Sequence, residues 1–171
     1  MTQPSIRLAR LSEAALLPAI EHSSDQLFRD GEFDHIARAP PPPASAYWPH
    51  VQAGAVWVAA NGGDAPVAFL AAGTETDGAV IHQLSVALDR QRQGLGSALM
   101  AAVIAWAGET RQPRLMLTTF RGVPWNEPYY RRLGFVEPSV ERRPATLSRL
   151  LDREAVMGHD PARRCGLVLE L

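Results

Sequence analysis

The chain has 171 residues, which suits one domain and is enough to bury roughly two-thirds of the surface that an unfolded chain exposes. Its 17 basic and 18 acidic residues leave a formal net charge of −1, so no global charge favours nucleic acid or an anionic membrane. The single cysteine, Cys165, excludes an internal disulfide and has no metal-ligand spacing, so no metal site is expected.

The apolar segments are too short to mark a targeting signal or a membrane span. The N-terminal residues MTQPSIRLARL lack the apolar core of a signal peptide, and the longest uncharged helical run covers only residues 97 to 108. A helix that crosses a bilayer requires roughly 20 apolar residues. We therefore expect a soluble, cytoplasmic protein in which Cys165 is a buried structural thiol.

The first third of the chain predicts one strand followed by helix and loop. Alternating residues 5 to 10 predict a strand, and residues 13 to 29 predict a helix with Ser12 as its N-cap and a kink or interruption at Pro18. The proline run at residues 40 to 43 predicts a stiff surface connection. A ligand for a proline-recognising partner is the less favoured interpretation of this run.

Three strands are predicted in the middle of the chain. Residues 55 to 60 and 66 to 72 are typical of strands, and Asn61 to Asp64 between them predict a hairpin turn. Residues 79 to 88 then predict a central strand, because apolar side chains occupy every second position: Val80, Leu84, Val86 and Leu88.

A glycine turn joins this central strand to a predicted helix over residues 95 to 108. The turn consists of Gln91, Arg92, Gln93, Gly94, Leu95, Gly96 and Ser97. Gly94 and Gly96 can adopt positive φ and leave room for a ligand, and the first N–H groups of a helix have no intrahelical partner. The turn therefore predicts a phosphate or pyrophosphate site, although it matches neither a P-loop nor a dinucleotide-binding fingerprint.

Residues 114 to 120 predict the next strand. A strand, helix and strand of this length favour a parallel crossover, and the space between strands 79 to 88 and 114 to 120 is the expected ligand cleft. Residues 147 to 157 predict an amphipathic helix, and residues 165 to 171 predict a closing strand beside strand 114 to 120.

A second motif lies between these segments, at residues 123 to 135. Asn126 stands near the start of a predicted short helix, Tyr130 lies inside that helix, and Gly134 with Phe135 follows it. An N-cap asparagine, core tyrosines and a glycine after the last turn are also what an ordinary short helix requires.

Together, the two motifs resemble those of the GCN5-related N-acetyltransferase (GNAT) superfamily. The turn matches its acetyl-CoA pyrophosphate loop, Gln/Arg-x-x-Gly-x-Gly/Ala, at Gln91, Gly94 and Gly96, and residues 126 to 135 match its ending, Asn…Tyr-x-x-x-Gly-Phe. The resemblance implies a single α/β domain over residues 1 to 171. Its mixed sheet would have about seven strands, splayed between the fourth and fifth, with helices on both faces.

The resemblance also implies acetyl transfer from acetyl-CoA to a primary amine. Tyr130 would be the catalytic general acid for the leaving CoA thiolate, since a phenol has a pKa of about 10. Backbone N–H groups around Val86 would pair with the pantetheine arm and polarise the acetyl carbonyl. The implied cofactor-binding residues are Leu84, Val86, Gln91, Arg92, Gln93, Gly94, Leu95, Gly96, Ser97 and Asn126.

The general base stays open. Many members of the family place a glutamate on one of the two splayed strands, where this chain has His82-Gln83 and Thr118-Thr119. His82 shares the parity of Leu84 and Val86, so a core histidine is favoured over a base. Glu21, His22 or a chain of waters are equally open.

The expected acceptor is a small or peptide-terminal primary amine, favoured as a cation. Residues 21 to 35 and the loop at 120 to 126 combine carboxylates with aromatic side chains, and both suit an organic cation. A homodimer is compatible with the sequence. The alternative function is a CoA-binding sensor without transfer activity, which the intact Tyr130 disfavours; a structural protein acting through the proline run is a more distant third.

Overall fold

A computed structural model describes residues 5 to 171, whose contacts divide the chain into two compact units. The first unit comprises the chain up to Gly73 together with residues 82 to 105, and the second comprises residues 74 to 81 together with 106 to 171. Within the described part of the chain, no helix has the length and apolar character that a membrane span requires.

The N-terminal region of the first unit contains several short helices rather than one. After strand β1 (Ser5–Leu8), a 3₁₀ turn covers Leu11–Leu16, helix α1 covers Leu17–Asp25 and a second 3₁₀ turn covers Gln26–Phe28. Pro18 lies in the first turn of α1, where its missing N–H leaves no helical hydrogen bond unmade. The predicted interruption at Pro18 is therefore confirmed.

The predicted Ser12 cap is wrong, because the first 3₁₀ turn begins at Leu11 and Arg10 is its N-cap. The carboxylate of Glu13 binds the start of this turn. Glu13 accepts a hydrogen bond from the Arg10 N–H at 2.7 Å and two from the Arg7 guanidinium at 2.7 and 2.9 Å. The hydrogen bonds from Arg7 lower the pKa of Glu13, although burial of the carboxylate opposes them. Glu13, the third residue of this turn, thus supplies the carboxylate half of a capping box by accepting from the backbone N–H of the N-cap residue Arg10.

Two more short helices flank the proline run in the first unit. Helix α2 covers Asp34–Arg38 and helix α3 covers Trp48–Gln52, and residues 40 to 43 form the predicted loop between them. Just before α3, the Tyr47 ring packs edge-on against Phe69 at 5.4 Å between centroids.

Strands β2 (Val56–Ala60) and β3 (Pro66–Glu75) form the predicted antiparallel hairpin, and β1 pairs antiparallel with the other edge of β2. Every residue of β2 is buried, as expected for a strand covered on both faces. The core of this unit consists of Ala14, Leu17, Ile20, Tyr47, Val51, Val56, Val58, Phe69 and Ala71. Burial of each large side chain contributes about 1.5–3 kcal/mol, which holds the short helices against the sheet.

Six strands form one mixed sheet in the order of the chain. Strand β4 (Gly78–Val86) leads to helix α4 (Leu95–Glu109), strand β5 (Arg114–Phe120) and finally strand β6 (Arg164–Glu170). The predicted parallel pairing of β4 with β5 is confirmed, and it joins Ala79 to Leu115 and Val80 to Met116. The predicted position of the closing strand beside β5 is confirmed as well, and the two strands pair antiparallel.

The second unit adds helices α5 (Glu127–Arg132) and α6 (Ala145–Val156), the latter being the predicted amphipathic helix. The seventh strand of the expected sheet is reduced to a single bridge between Val136 and Val168. Val136 donates to and accepts from Val168 at 2.8 Å in both directions. Pro138 follows two residues later and cannot donate to a ladder, so the pairing ends there.

Candidate active site

The turn after β4 presents backbone N–H groups at the start of α4. The first helical hydrogen bond recorded there runs from the Ala98 N–H to the Gly94 carbonyl, at 3.0 Å. The preceding N–H groups of Leu95, Gly96 and Ser97 belong to the first turn, which has no intrahelical acceptors. An anion at this end of the helix can accept those hydrogen bonds and also meets the positive end of the helix dipole.

The backbone of the turn is held in a conformation that few residues adopt. Gly94 has φ of 80° and Arg92 has φ of 58°, and nothing lies within 4 Å of the position that a Gly94 Cβ would take. The Gln91 amide donates to the Val86 carbonyl at 3.3 Å, which ties the turn back to the end of β4. Among residues 91 to 97, only Leu95 is buried, at 3% exposure, and its side chain packs the turn against the core.

The end of β4 is more open than its alternating pattern predicts. Leu84 and Val86, which the pattern assigns to a buried face, are only half-buried, whereas the Ser85 side chain between them is 1% exposed. The Gln83 amide donates to the Ser85 hydroxyl at 2.9 Å and so satisfies it. Two half-exposed apolar side chains on one face of a strand end suit an apolar ligand such as a pantetheine arm.

The interpretation of His82 as a core histidine is wrong, because its side chain is exposed. Its Nε2 atom lies 2.9 Å from the position that a Cβ on Gly73 would occupy, and its ring centroid lies 4.8 Å from that of His50. Desolvation by the protein around the ring, and then the charge of His50, lower the pKa of His82 to about 4. The imidazole is therefore neutral at physiological pH, although it is a weaker base than an ordinary histidine.

Two other open base positions lie on α1, in the same unit as His82. Burial, and then the neighbouring Asp25, raise the pKa of Glu21 to about 7, and burial raises the pKa of Asp25 to about 6. The Glu21 Oε2 and His22 Nδ1 atoms are buried without a hydrogen-bond partner in the described structure. Glu21 thus stays a chemically competent alternative to His82.

Tyr130 lies on α5 in the second unit and packs between two aromatic rings. Its centroid is 5.1 Å from that of Tyr129 and 5.9 Å from that of Phe135, both in edge-to-face geometry. Burial, and then Tyr129, raise the pKa of Tyr130 above its ordinary value. A raised pKa keeps the phenol protonated, which is the form that a general acid requires.

Asn126 precedes α5 but its side chain does not cap the helix. Its backbone carbonyl accepts from the Tyr129 N–H at 2.9 Å and from the Tyr130 N–H at 3.2 Å. Within residues 5 to 171, no hydrogen bond engages the Asn126 side-chain amide, so this amide can bind a ligand. The ordinary capping explanation of this asparagine therefore does not account for its side chain.

Ion pairs fix α5 in the second unit. The Arg121 guanidinium binds both carboxylate oxygens of Glu137, at 2.9 and 2.6 Å, and Arg131 donates to Glu127 at 3.0 and 2.8 Å. Arg131 also reaches Glu137 at 3.4 Å. This contact and the hydrogen bond from the Gly122 N–H to Glu127 at 3.2 Å tie α5 to its flanking loops, and they hold the helix that carries Tyr130 in place.

Strand β5 supplies no free carboxylate to the site. The Thr118 hydroxyl donates to Glu154 of α6 at 2.5 Å, and Arg164 donates to both oxygens of that carboxylate at 2.8 and 2.7 Å. Thr119 is 5% exposed. The described residues contain no group of three or more histidine, cysteine or acidic side chains that could hold a metal ion.

Sequence reasoning missed His50 and Gly73, the two residues that contact the His82 ring. Neither belongs to a motif, and both approach His82 from elements distant in the chain, α3 and β3. No local pattern could have identified them.

A mixed sheet with a parallel β4–β5 pair, an open helix start after β4 and a tyrosine helix before a Gly-Phe pair are the features of an α/β domain that carry both sequence motifs. The chain belongs to the GNAT acetyltransferase family, whose sequence pattern matches residues 20 to 135.

Solved structures with the same fold cover nearly the whole chain. Rv2747 from Mycobacterium tuberculosis, solved in complex with CoA, is 17% identical with a TM-score of 0.68, over 98% of this chain and 99% of that one. The ribosomal-protein-S18-alanine N-acetyltransferase from Escherichia coli is 19% identical with a TM-score of 0.68, over 97% and 92%. PaiA N-acetyltransferase from Thermoplasma acidophilum, in complex with coenzyme A, is 11% identical with a TM-score of 0.71, over 99% and 100%.

Proposed function

We propose that this protein transfers the acetyl group of acetyl-CoA directly to a primary amine, and that residues 1 to 171 act as one N-acetyltransferase domain. Membership of the acetyltransferase family supports the reaction class. The CoA complexes of Rv2747 and PaiA, and the N-acetyltransferase activity named for two of the similar proteins, support the cosubstrate and the amine acceptor. The observation that carries the proposal is the open start of α4 after the Gln91 to Ser97 turn.

In this proposal, backbone N–H groups of the turn bind the CoA pyrophosphate. The cofactor contacts come from Gln91, Arg92, Gln93, Gly94, Leu95, Gly96 and Ser97, while the backbone at Leu84 and Val86 pairs with the pantetheine arm. The half-exposed side chains of Leu84 and Val86 and the confined pairing of β4 with β5 support this strand-like contact. Asn126 offers its unengaged amide to the CoA arm.

The acetyl-transfer reaction then has three steps, each of which moves a charge or a proton. The neutral amine attacks the thioester carbonyl, whose oxygen takes on negative charge that a β4 backbone N–H near Val86 stabilises. The C–S bond breaks, and Tyr130 gives its phenolic proton to the departing CoA thiolate. The attacking nitrogen loses one proton to a base, and His82 is our choice because its imidazole is neutral and exposed.

The acceptor we propose is a small or peptide-terminal primary amine that carries positive charge when it binds and releases one proton to water, which leaves the neutral amine that attacks. Glu21 and Asp25 lie one helical turn apart on α1, and burial disfavours their ionised forms in the absence of a cation. An alkylammonium group beside them would restore the ionised state. Cytoplasmic location and a homodimer belong to the same proposal.

A CoA-binding sensor without transfer activity is the second candidate function, because an intact CoA loop would serve it equally. Isothermal titration with acetyl-CoA, followed by release of free CoA thiol in the presence of an amine panel, separates the two. The panel comprises 2-phenylethylamine, spermidine, kanamycin and an alanyl tripeptide. We expect binding and amine-dependent thiol release; binding with no release from any amine would favour the sensor.

The base is tested by comparing His82→Gln with Glu21→Gln. We expect His82→Gln to lower kcat by about 10²-fold, a typical contribution of a general base, and Glu21→Gln to raise the KM of the amine more than it changes kcat. If Glu21→Gln instead lowered kcat by about 10²-fold and His82→Gln mainly raised the KM of the amine, Glu21 would be the base.

A further inference from the structure

A pair of histidines lies on the surface of the first unit, formed by His82 of β4 and His50 of α3. Their ring centroids are 4.8 Å apart and their planes are tilted by 45°. No hydrogen bond joins the two rings within residues 5 to 171, so they interact through packing and charge. The remaining three of the five histidines, His22, His35 and His159, show no ring contact with this pair.

Gly73 of β3 lies next to the His82 ring of this pair. A Cβ at this position would lie 2.9 Å from the His82 Nε2 atom, closer than real Cβ atoms approach another atom. Gly73 has no left-handed φ that would itself demand glycine. The absent side chain therefore leaves the space into which the Nε2 edge of His82 fits.

Backbone hydrogen bonds tie the end of α3 to the residues that follow it and so fix where the His50 backbone lies. The Ala55 N–H donates to the His50 carbonyl at 2.9 Å, and the Ala72 N–H donates to the Ala55 carbonyl at 2.9 Å. These two bonds connect the His50 backbone to the residue just before Gly73. His50 and Gly73 thus contact His82 from two elements whose spacing the backbone sets.

We propose that His50 is a positioning residue for acetyl transfer, which packs against the His82 imidazole, holds it over Gly73 and tunes how readily that ring takes up the proton of the acceptor amine. The inference rests on the proposed function, in which His82 is the base. A charge on one ring disfavours a charge on the other, so His82 takes up the amine proton only while the His50 ring is neutral. His82 would therefore receive a proton from the attacking amine and release it to water before the next cycle.

The charge part of the inference is consistent with the titration of His82. Desolvation and then the charge of His50 lower the pKa of His82 to about 4, and His50 is the one charged group that acts on it in the described structure. Neither Gly73 of β3 nor Gln83 and Ser85 of β4 carries a charge. Removal of the His50 imidazole should therefore raise the pKa of His82.

The first test is an NMR titration of the five histidine rings in the full chain, with the His82 signal assigned from His82→Gln. Phenylalanine keeps the planar ring at position 50 but cannot be charged. We expect His50→Phe to move the His82 midpoint upward by about half a pH unit or more. His159→Phe, which replaces a histidine elsewhere in the chain, should leave the midpoint unchanged. An unchanged midpoint in His50→Phe overturns the inference, whatever the protein catalyses.

The second test is kinetic and uses acetyl-CoA with the most active amine of the panel. Gly73→Ala should lower kcat about tenfold with an unchanged KM for acetyl-CoA, because the added methyl displaces the His82 ring while the base itself remains. His50→Phe should move the acid limb of kcat/KM to higher pH by the shift that NMR shows. A structural role alone would change the melting temperature and leave the pH profile in place.

The outcomes separate this inference from the proposed function. Wild-type turnover in His82→Gln removes His82, and with it His50, from the mechanism, while acetyl transfer itself stands. Low turnover in His82→Gln, together with wild-type kcat and pH profile in both Gly73→Ala and His50→Phe, keeps His82 as the base and overturns the role of His50.

Discussion

The turn between β4 and α4 and the helix α5 would serve the same reaction by different means. The turn offers backbone N–H groups, and its polar side chains at Arg92, Gln93 and Ser97 are exposed to solvent. Helix α5 instead offers one phenol, packed between two rings on a helix that contacts with Gly122 and Glu137 tie to its flanking loops. A site made by the backbone should resist side-chain truncation and be sensitive to added bulk, whereas a site made by one side chain should be sensitive to single atoms.

The largest effect should come from a single oxygen on α5. Tyr130→Phe keeps the packing of the ring but removes the acidic proton, so kcat should fall by on the order of 10²-fold with little change in the Kd of acetyl-CoA. Steady-state kinetics and isothermal titration measure the two quantities. Tyr129→Phe is the matched control on the same helix and should keep kcat within a few-fold. Equal effects of the two variants would place the acid elsewhere.

The next largest effect should come from bulk added to the turn. Gly96→Val places a branched side chain in the first turn of α4 and blocks the approach of a pyrophosphate, so acetyl-CoA affinity should fall at least tenfold, or about 1.4 kcal/mol. Gly108→Val inserts the same residue near the end of the same helix, where nothing lies within 4 Å of the new Cβ, and should leave the affinity unchanged. A folded Gly96→Val protein with wild-type affinity would contradict the site.

A smaller loss is expected at Asn126, which tests whether the second motif also binds CoA. Asn126→Ala removes an amide that takes no part in capping α5, so the melting temperature should stay within a degree or two and CoA affinity should fall by about 1 kcal/mol, a typical contribution of one hydrogen bond. Calorimetric titration and thermal unfolding supply the two values. A large loss of stability with unchanged affinity would make Asn126 a structural residue.

The smallest effect should come from truncation of an exposed side chain in the turn. Arg92→Gln should weaken acetyl-CoA binding only about two- to threefold at low salt, and the difference should vanish near 1 M salt, where exposed charges are screened. Arg90→Gln, which removes a nearby exposed arginine paired with Asp89 at 3.3 Å, is the control. If Arg92→Gln lowered acetyl-CoA affinity tenfold or more and the loss persisted at high salt, the site would depend on a side chain. The contrast between the turn and α5 would then be wrong.

Much of the fold was predictable because it depends on local chemistry. The hairpin of β2 and β3, the parallel pairing of β4 with β5 and the closing strand β6 all follow from alternating or continuous apolar runs separated by turn residues. The errors arose where a side chain competed with the expected local signal. The first helical turn has Arg10 rather than Ser12 as its N-cap because Glu13 binds the Arg10 N–H, and Pro138 ends the seventh strand after one bridge.

The sequence by itself determined the strand, turn and helix between residues 79 and 108 and the order of Asn126, Tyr130 and Gly134, because glycine conformation and helical periodicity act over a few residues. The predicted end of the strand at Leu88 is wrong, since the strand ends at Val86 and a 3₁₀ helix covers Leu88–Arg90. Only the tertiary structure decided the surroundings of His82. Period-two alternation specifies which residues share a face of a strand, but not whether another element covers that face. Beyond Ile81 the face that carries His82 is left open, and the residues that contact its ring, His50 and Gly73, arrive from α3 and β3 through backbone pairing that no local pattern encodes.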